Sequence, residues 1–179
     1  MMIYVFLAPG FEEIEAVAVI DVLRRAHLQV VTVGVPSLVI RGAHGMTLAA
    51  DITAAEATTN GLEMVVLPGG MPGTLNLEHS EAVQAMVRYC AQEDKKISAI
   101  CAAPSILGHM GLLQGKRATC FPGFEGELAG ARFEQTAVCH DGNLITANGP
   151  GSAIAFALEI VAELCGKDQA DALRTGMQC

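Results

Sequence analysis

Short, wholly apolar runs alternate along this chain with longer amphipathic ones. MIYVFLA (2–8) offers no polar side to water, as expected of a strand covered on both faces. In EEIEAVAVIDVLRRAH (12–27), Ile14, Val17, Ile20 and Leu23 recur at helical spacing among charged residues, predicting a helix with those residues on its apolar stripe. LQVVTVG (28–34) is a second strand. The segment 35–51, VPSLVIRGAHGMTLAAD, holds two alternating pieces around Gly42 and Gly45 and reads as a hairpin.

A third strand, LEMVVL, ends in the glycine pair of LPGG (67–70). SEAVQAMVRYCAQED (80–94) follows as an amphipathic helix with Ser80 as its N-cap. KISAI (96–100) is the next buried strand, and Pro104 opens a helix through PSILGHMGLLQG. After RATCF and a glycine-rich loop, TAVCHDGNLITA (136–147) predicts a hairpin turned at Asp141-Gly142. GPGSAIAFALEIVAELCG is a helix entered from a Gly-Pro-Gly turn, and DQADALRTG is a short last helix. Apolar strands alternating with helices predict an α/β fold, a mostly parallel sheet with helices on both faces and a β-hairpin, formed by residues 1–179 as one domain. Ligands in such sheets bind outside the carboxyl ends of the strands.

Composition narrows the function classes. The chain has 179 residues and a net charge of -8, with only 11 Lys and Arg, scattered; phosphate binding needs clustered cations, so nucleic acid is excluded as a main partner. The opening MMIYVFLAPGFEE has no basic leader region, and the longest apolar segment carries Glu159 and Glu163 and is too short to span a bilayer. A cytoplasmic protein that does not enter membranes is the expectation. The six cysteines show no C-x-x-C or C-x-x-H spacing, so neither a zinc site nor a disulfide framework is expected.

Three strand ends carry unusual chemistry: APGFEEIE, LPGGMPG and AICAAP. In a parallel sheet they share one rim, where Cys101 stands at a strand-to-helix turn. Helix N-terminal amides stabilise negative charge on a sulfur in that position, predicting a low-pKa thiol. Gly69 and Gly70 let backbone approach a ligand and offer N–H groups to an oxyanion. Glu15 breaks the apolar spacing of Ile14, Val17 and Ala18 and is expected to point inward, where a thiolate beside it would raise its pKa. Each part also has a plain structural reading, namely a small core cysteine, acids that complement a helix dipole, and an ordinary turn. Their coincidence at three strand ends favours a site.

LAPGFEEIEAV, VVLPGGMPG, AICAAPSIL and ANGPGSAIAFAL resemble, in this order and spacing, the ThiJ/PfpI family, and are most similar to its ThiJ/YajL branch, which includes the parkinsonism-associated protein deglycase. The resemblance implies a flavodoxin-like three-layer sandwich, a homodimer, and no cofactor or metal. It implies Cys101 as the reactive cysteine, Glu15 as a protonated partner, and oxyanion-side amides from Gly70 and Ala102. The implied activity is on small dicarbonyls or glycated proteins and amino acids, converting methylglyoxal to lactate. The alternative is a redox sensor or oxidative-stress chaperone whose cysteine becomes a sulfinate. Some members carry a histidine in a THP string where this chain has Phe121 in TCFPG, so a Cys-His mechanism is not expected here.

Among the histidines, His140 and His79 are expected to be solvated, His27 to follow the first helix, and His109 to pack or cap. His44 aligns where relatives place an arginine near the dimer-related site, and is a candidate contact for an anionic or carbonyl group across the dimer. Cys90, Cys139, Cys165 and Cys179 read as structural. Cys120, beside Phe121, is a candidate for a place near the site as a resolving thiol or substrate contact.

Overall fold

The computed structural model describes residues Met1–Cys179. Its strands are β1 (Met2–Leu7), β2 (Gln29–Gly34), β3 (Val39–Arg41), β4 (Thr47–Ala49), β5 (Ile52–Thr53), β6 (Leu62–Leu67), β7 (Lys96–Ile100), β8 (Arg117–Ala118), β9 (Arg132–Phe133), β10 (Val138–Asp141) and β11 (Leu144–Ala147). The helices are α1 (Glu13–Arg25), α2 (Gly73–Glu78), α3 (Glu81–Gln92), α4 (Pro104–His109), α5 (Ala153–Cys165) and α6 (Lys167–Met177). A seven-stranded sheet runs in the order β10-β11-β7-β6-β1-β2-β5, parallel except where β10 meets β11. This is the α/β arrangement that the alternation of strands and helices predicts, and the flavodoxin-like sandwich that the motif resemblance implies.

Because successive strand residues face opposite ways, β1 feeds two cores. Ile3, Val5 and Leu7 pack with α1, α5 and α6 on one side of the sheet, while Tyr4 and Phe6 pack with α2, α3 and α4 on the other. Both faces are therefore covered, which is why the strand sequences show no polar alternation. The chain goes from β1 outward to β2 on one side and returns to β6 on the other. The β1–β6 boundary is the switch point at which loops diverge and leave a crevice.

Helix α1 differs from its predicted orientation. Its buried face is Glu13, Glu15, Ala16, Val19, Val22 and Leu23, whereas Ile14 is 58% and Val17 40% exposed. Both stripes have helical spacing, so periodicity alone could not choose between them. The choice is made by α5, against which α1 packs, and by loop N–H groups that receive the two inward carboxylates.

Smaller differences have equally local causes. The pair Asp141↔Leu144 closes the β10–β11 hairpin, so its loop residues are Gly142, at φ +66°, and Asn143, one position later than expected. Helix α2 escapes a periodicity reading because GTLNLE is only six residues long. Helix α3 begins as predicted, with the Ser80 hydroxyl accepting the Val83 N–H. His140 is not simply solvated: its Nδ1 lies 2.9 Å from Glu159 Oε1 and its Nε2 3.1 Å from the Gly142 carbonyl. His109 bridges Glu78 and Glu127, joining α2 to the loop after β8. No helix is long and apolar enough to cross a membrane.

Candidate active site

Strands β1, β6 and β7 are neighbours, so the three motif loops meet at one rim. At the end of β7 the chain turns through Cys101, whose φ of +66° lies in the left-handed region that a non-glycine residue occupies only under constraint. The constraint is visible on both sides of the residue. Its N–H donates to the Ala147 carbonyl at 2.9 Å, and its own carbonyl accepts the Phe121 N–H at 2.8 Å. The turn lifts the thiol out of the sheet toward the N-terminal end of α4, where the N–H groups of Gly70 and Ala102 donate to the sulfur.

Glu15 lies behind the thiol, fully buried on the inner face of α1. Its Oε2 accepts the Gly69 N–H at 2.7 Å. Oε1 is buried without a hydrogen-bond partner, and the Cys101 thiol is the side chain that works against burial at this carboxyl. Burial pushes the Glu15 carboxyl up to about 7, against the opposing Gly69 N–H. Burial and then the Glu15 charge push the Cys101 thiol up to about 12, with the Gly70 and Ala102 amides opposing. A helix terminus alone therefore does not yield the low-pKa thiol expected from sequence. The two groups form one system, which releases a first proton near 7 and a second only near 12, so the pair passes from neutral to singly charged as pH rises through the neutral range.

The glycines are required by this close packing. A Cβ on Gly69 would lie 2.6 Å from Cys101 Cβ and 2.9 Å from Glu15 Oε2, and a Cβ on Gly70, at φ +88°, would lie 2.4 Å from the Glu12 nitrogen. Gly69 thus serves Glu15 rather than an oxyanion, while the Gly70 and Ala102 amides face the sulfur as anticipated.

Above the thiol is a pocket of about 480 Å³, lined by Glu12, Ile14, His44, Gly70, Met71, Cys101, Ala102, Phe121, Phe124 and Pro150. His44 belongs to it within the same chain. Phe121 forms a wall in the place where an imidazole was missed. Cys120 does not line this pocket. It faces a neighbouring one with Thr119, Pro122 and Phe133.

Glu12 and Glu13 were not singled out from the sequence beyond their place in a first helical turn. Glu13 Oε1 accepts the backbone N–H of His44 at 2.8 Å and of Met46 at 3.3 Å, and Oε2 meets His44 Nδ1 at 3.0 Å. Burial would raise the Glu13 pKa, but these hydrogen bonds, that from His44 foremost, hold it below the usual carboxylate value. The same bond, with the Glu12 charge, raises His44. The three side chains bring one potential ligand atom each within 4.8 Å of one another. A search for ligand pairs on a single turn misses such a set, since His44 comes from the β3–β4 loop.

A cysteine held on a strained elbow, with a buried carboxyl behind it, defines an α/β protein built around one elbow thiol at the rim of its sheet. The chain belongs to the DJ-1/PfpI family, whose model matches residues 1–163, in agreement with the motif resemblance. It is 40% identical over 169 residues to protein DJ-1 homolog B of Arabidopsis thaliana, covering 93% of this chain and 39% of that protein. The chain thus spans well under half of that longer relative. It is 35% identical to protein dj-1beta of Drosophila melanogaster, covering 97% of this chain and 94% of that one. It is also 29% identical to a deglycase of Pyrococcus abyssi, covering 90% and 98% respectively. The Drosophila DJ-1beta crystal structure superposes with a TM-score of 0.93 over 99% of this chain and 97% of that one, at 35% identity. Oxidized DJ-1 of Toxoplasma gondii matches equally well, with a TM-score of 0.93 at 34% identity, covering 99% and 97%.

Proposed function

We propose that this protein is a cofactor-independent enzyme of the glyoxalase or deglycase type, acting through Cys101 on small dicarbonyls or on their adducts with proteins and amino acids. The observation that carries the reading is the coupling of the elbow thiol to the buried Glu15 carboxyl, whose Oε1 has no hydrogen-bond partner. With one charge shared by the pair, the proton resting on Oε1 donates to a thiolate that the Gly70 and Ala102 amides also solvate. An O–H is a stronger donor than an S–H, so this placement satisfies the buried carboxyl best.

With methylglyoxal, the Cys101 sulfur adds to the aldehyde carbon and the resulting alkoxide takes a proton, giving a hemithioacetal. Glu15 then moves the proton from that carbon to its neighbour through an enediol, leaving a lactoyl thioester. Water cleaves the thioester to lactate and regenerates the thiol. The Pyrococcus relative named as a deglycase supports this class. The pocket walls, Ile14, Met71, Phe121, Phe124 and Pro150, suit a small, weakly polar substrate. We place the protein in the cytoplasm and as a homodimer, without membrane or nucleic-acid partners.

The test is lactate formation from methylglyoxal by pure protein, abolished in Cys101→Ser and in Glu15→Ala. Wild-type protein that forms no lactate and releases no amine from glycated peptides overturns the reading.

A second reading, that of a redox sensor, is favoured by the donors around the sulfur. The Gly70 and Ala102 N–H groups and a Glu15 O–H would equally hold the oxygens of a sulfinate, and a relative of this fold has been solved oxidized. Selective addition of two oxygens at Cys101 by dilute peroxide, without turnover of dicarbonyls, would select it.

A further inference from the structure

The mouth of the pocket has an electrostatic imbalance that the thiol chemistry does not use. Glu13 is anchored by two backbone N–H groups on Oε1, leaving Oε2 directed at His44 Nδ1. Glu12 is only 8% exposed, and no N–H or O–H of the backbone or of another side chain donates to its carboxylate. Its one polar neighbour is the same His44 Nδ1, at 3.4 Å. A single imidazole nitrogen thus faces two nearly buried carboxylates, and one N–H can serve only one of them well. Two carboxylates crowded on one imidazole N–H repel each other, and proteins answer such a cluster by pairing the charge or coordinating a metal.

The spacing fits the second answer. Ligand atoms about 2.0 to 2.1 Å from a tetrahedral zinc ion stand about 3.3 Å apart. The distances from His44 Nδ1 to Glu13 Oε2 and to Glu12 Oε2 are 3.0 and 3.4 Å, on either side of that edge length. All three ligand atoms lie within 4.8 Å of one another, so a modest rotation of the Glu12 carboxylate closes the third edge. The donor set, one imidazole and two carboxylates, suits first-row divalent ions such as zinc or cobalt rather than the all-oxygen environment that calcium prefers.

We propose that Glu12, Glu13 and His44 form a binding site for a first-row divalent cation, which replaces the proton on His44 Nδ1 and keeps an open coordination position toward the pocket above Cys101. Glu12 and His44 line that pocket, so an ion there meets the same solvent and ligands as the thiol. The site is independent of Cys101 as an enzyme nucleophile or as a sensor, and stands or falls separately.

Cobalt(II) is the probe, because its visible bands report the geometry and a thiolate ligand would add an intense sulfur-to-metal transition. The expected result is saturable binding of one equivalent with no sulfur band, displaced by zinc, and identical in Cys101→Ser. Affinity falls at least tenfold in Glu12→Gln and in His44→Ala. Glu12→Gln is isosteric at a carboxylate that accepts no hydrogen bond, so it tests the site even if His44→Ala unfolds. Absence of saturable binding, a sulfur band, loss of binding in Cys101→Ser, or unchanged affinity in Glu12→Gln overturns the proposal.

Discussion

The Gly69 N–H donates to Glu15 Oε2 at 2.7 Å, and that bond leaves Oε1 as the buried oxygen with no hydrogen-bond partner. With Oε2 occupied, the proton of the acid form belongs on Oε1, against the sulfur. The ionisation near 7 is therefore read out at the thiol. Alkylation of Cys101 by iodoacetamide is expected to follow the two ionisations of the pair in the wild type, one near 7 at the carboxyl and one near 12 at the thiol. In Glu15→Gln the coupling is gone, and a single step is expected between the two wild-type values of about 7 and about 12. Superimposable profiles for the two proteins would show that the carboxyl does not govern the thiol.

Stability should carry the same signature with a defined sign. The folded-state pKa of Glu15 is raised, so its contribution is fully present below the unfolded value of about 4.5 and is lost as pH rises to the folded value of about 7. Between pH 5 and pH 8 this removes about 2 kcal/mol from the wild type. Glu15→Gln has nothing to titrate there. Urea unfolding of both proteins at the two pH values should therefore show the mutant gaining by about that amount relative to wild type at the higher pH. A difference independent of pH would mean that the carboxyl is not held neutral by burial.

Gly69→Ala tests the packing of the site separately from its charge. The added methyl would meet Cys101 Cβ at 2.6 Å and both Glu15 Oε2 and the Ile100 carbonyl at 2.9 Å, two of these contacts being with groups fixed by the elbow. A loss of about 1 to 3 kcal/mol is expected, together with a slower reaction at Cys101. Gly126→Ala is the control, since its Cβ would meet nothing within 4 Å; it should stay within about 0.5 kcal/mol of wild type. Equal melting temperatures for the two variants would contradict the geometry.

Much of this was legible in the sequence because it depends on local order. Apolar runs ending in Pro, Gly or Cys marked the β1, β6 and β7 rim, and the motif resemblance supplied Glu15 as the partner of Cys101. What was not legible depends on tertiary choice. Ile14 and Val17 have as good a helical period as Ala16, Val19 and Leu23, and only α5 and the loops that receive Glu13 and Glu15 select the second set. Cys120 and Phe121 are adjacent in sequence yet face different pockets. The thiol pKa could not be read from the elbow, because burial and a neighbouring carboxylate outweigh the helix terminus.

His44 provides a check on the pocket mouth. Its hydrogen bond to Glu13, with the charges of Glu12 and Glu13, raises its pKa above the ordinary imidazole value. The ring should therefore remain protonated to higher pH than an ordinary imidazole. Carbon-bound proton shifts followed by NMR should show this, and Glu13→Gln should bring the His44 midpoint down. Because the imidazolium form is the one favoured by folding, any stabilisation from this pair is present at low pH and fades as pH rises through the raised value. An unshifted midpoint in Glu13→Gln would show that the 3.0 Å contact is not maintained in solution.

The rotated face of α1 carries the last prediction. Val17 and Ile20 line a groove with Leu48 and Ala49 of the β3–β4 hairpin, and Ile14 continues this apolar strip to the thiol pocket. Large apolar residues gathered beside a site mark an interaction surface more often than a solvated one. The homodimer implied by the family resemblance supplies an occupant, with the strip of one copy meeting that of the other about a two-fold axis. Val17→Asp places a charge on this strip without entering either core, so thermal unfolding should remain cooperative while light scattering reports a shift from dimer to monomer. The idea fails if the wild type is monomeric at micromolar concentration, or if Val17→Asp and Ile14→Asp both remain dimeric.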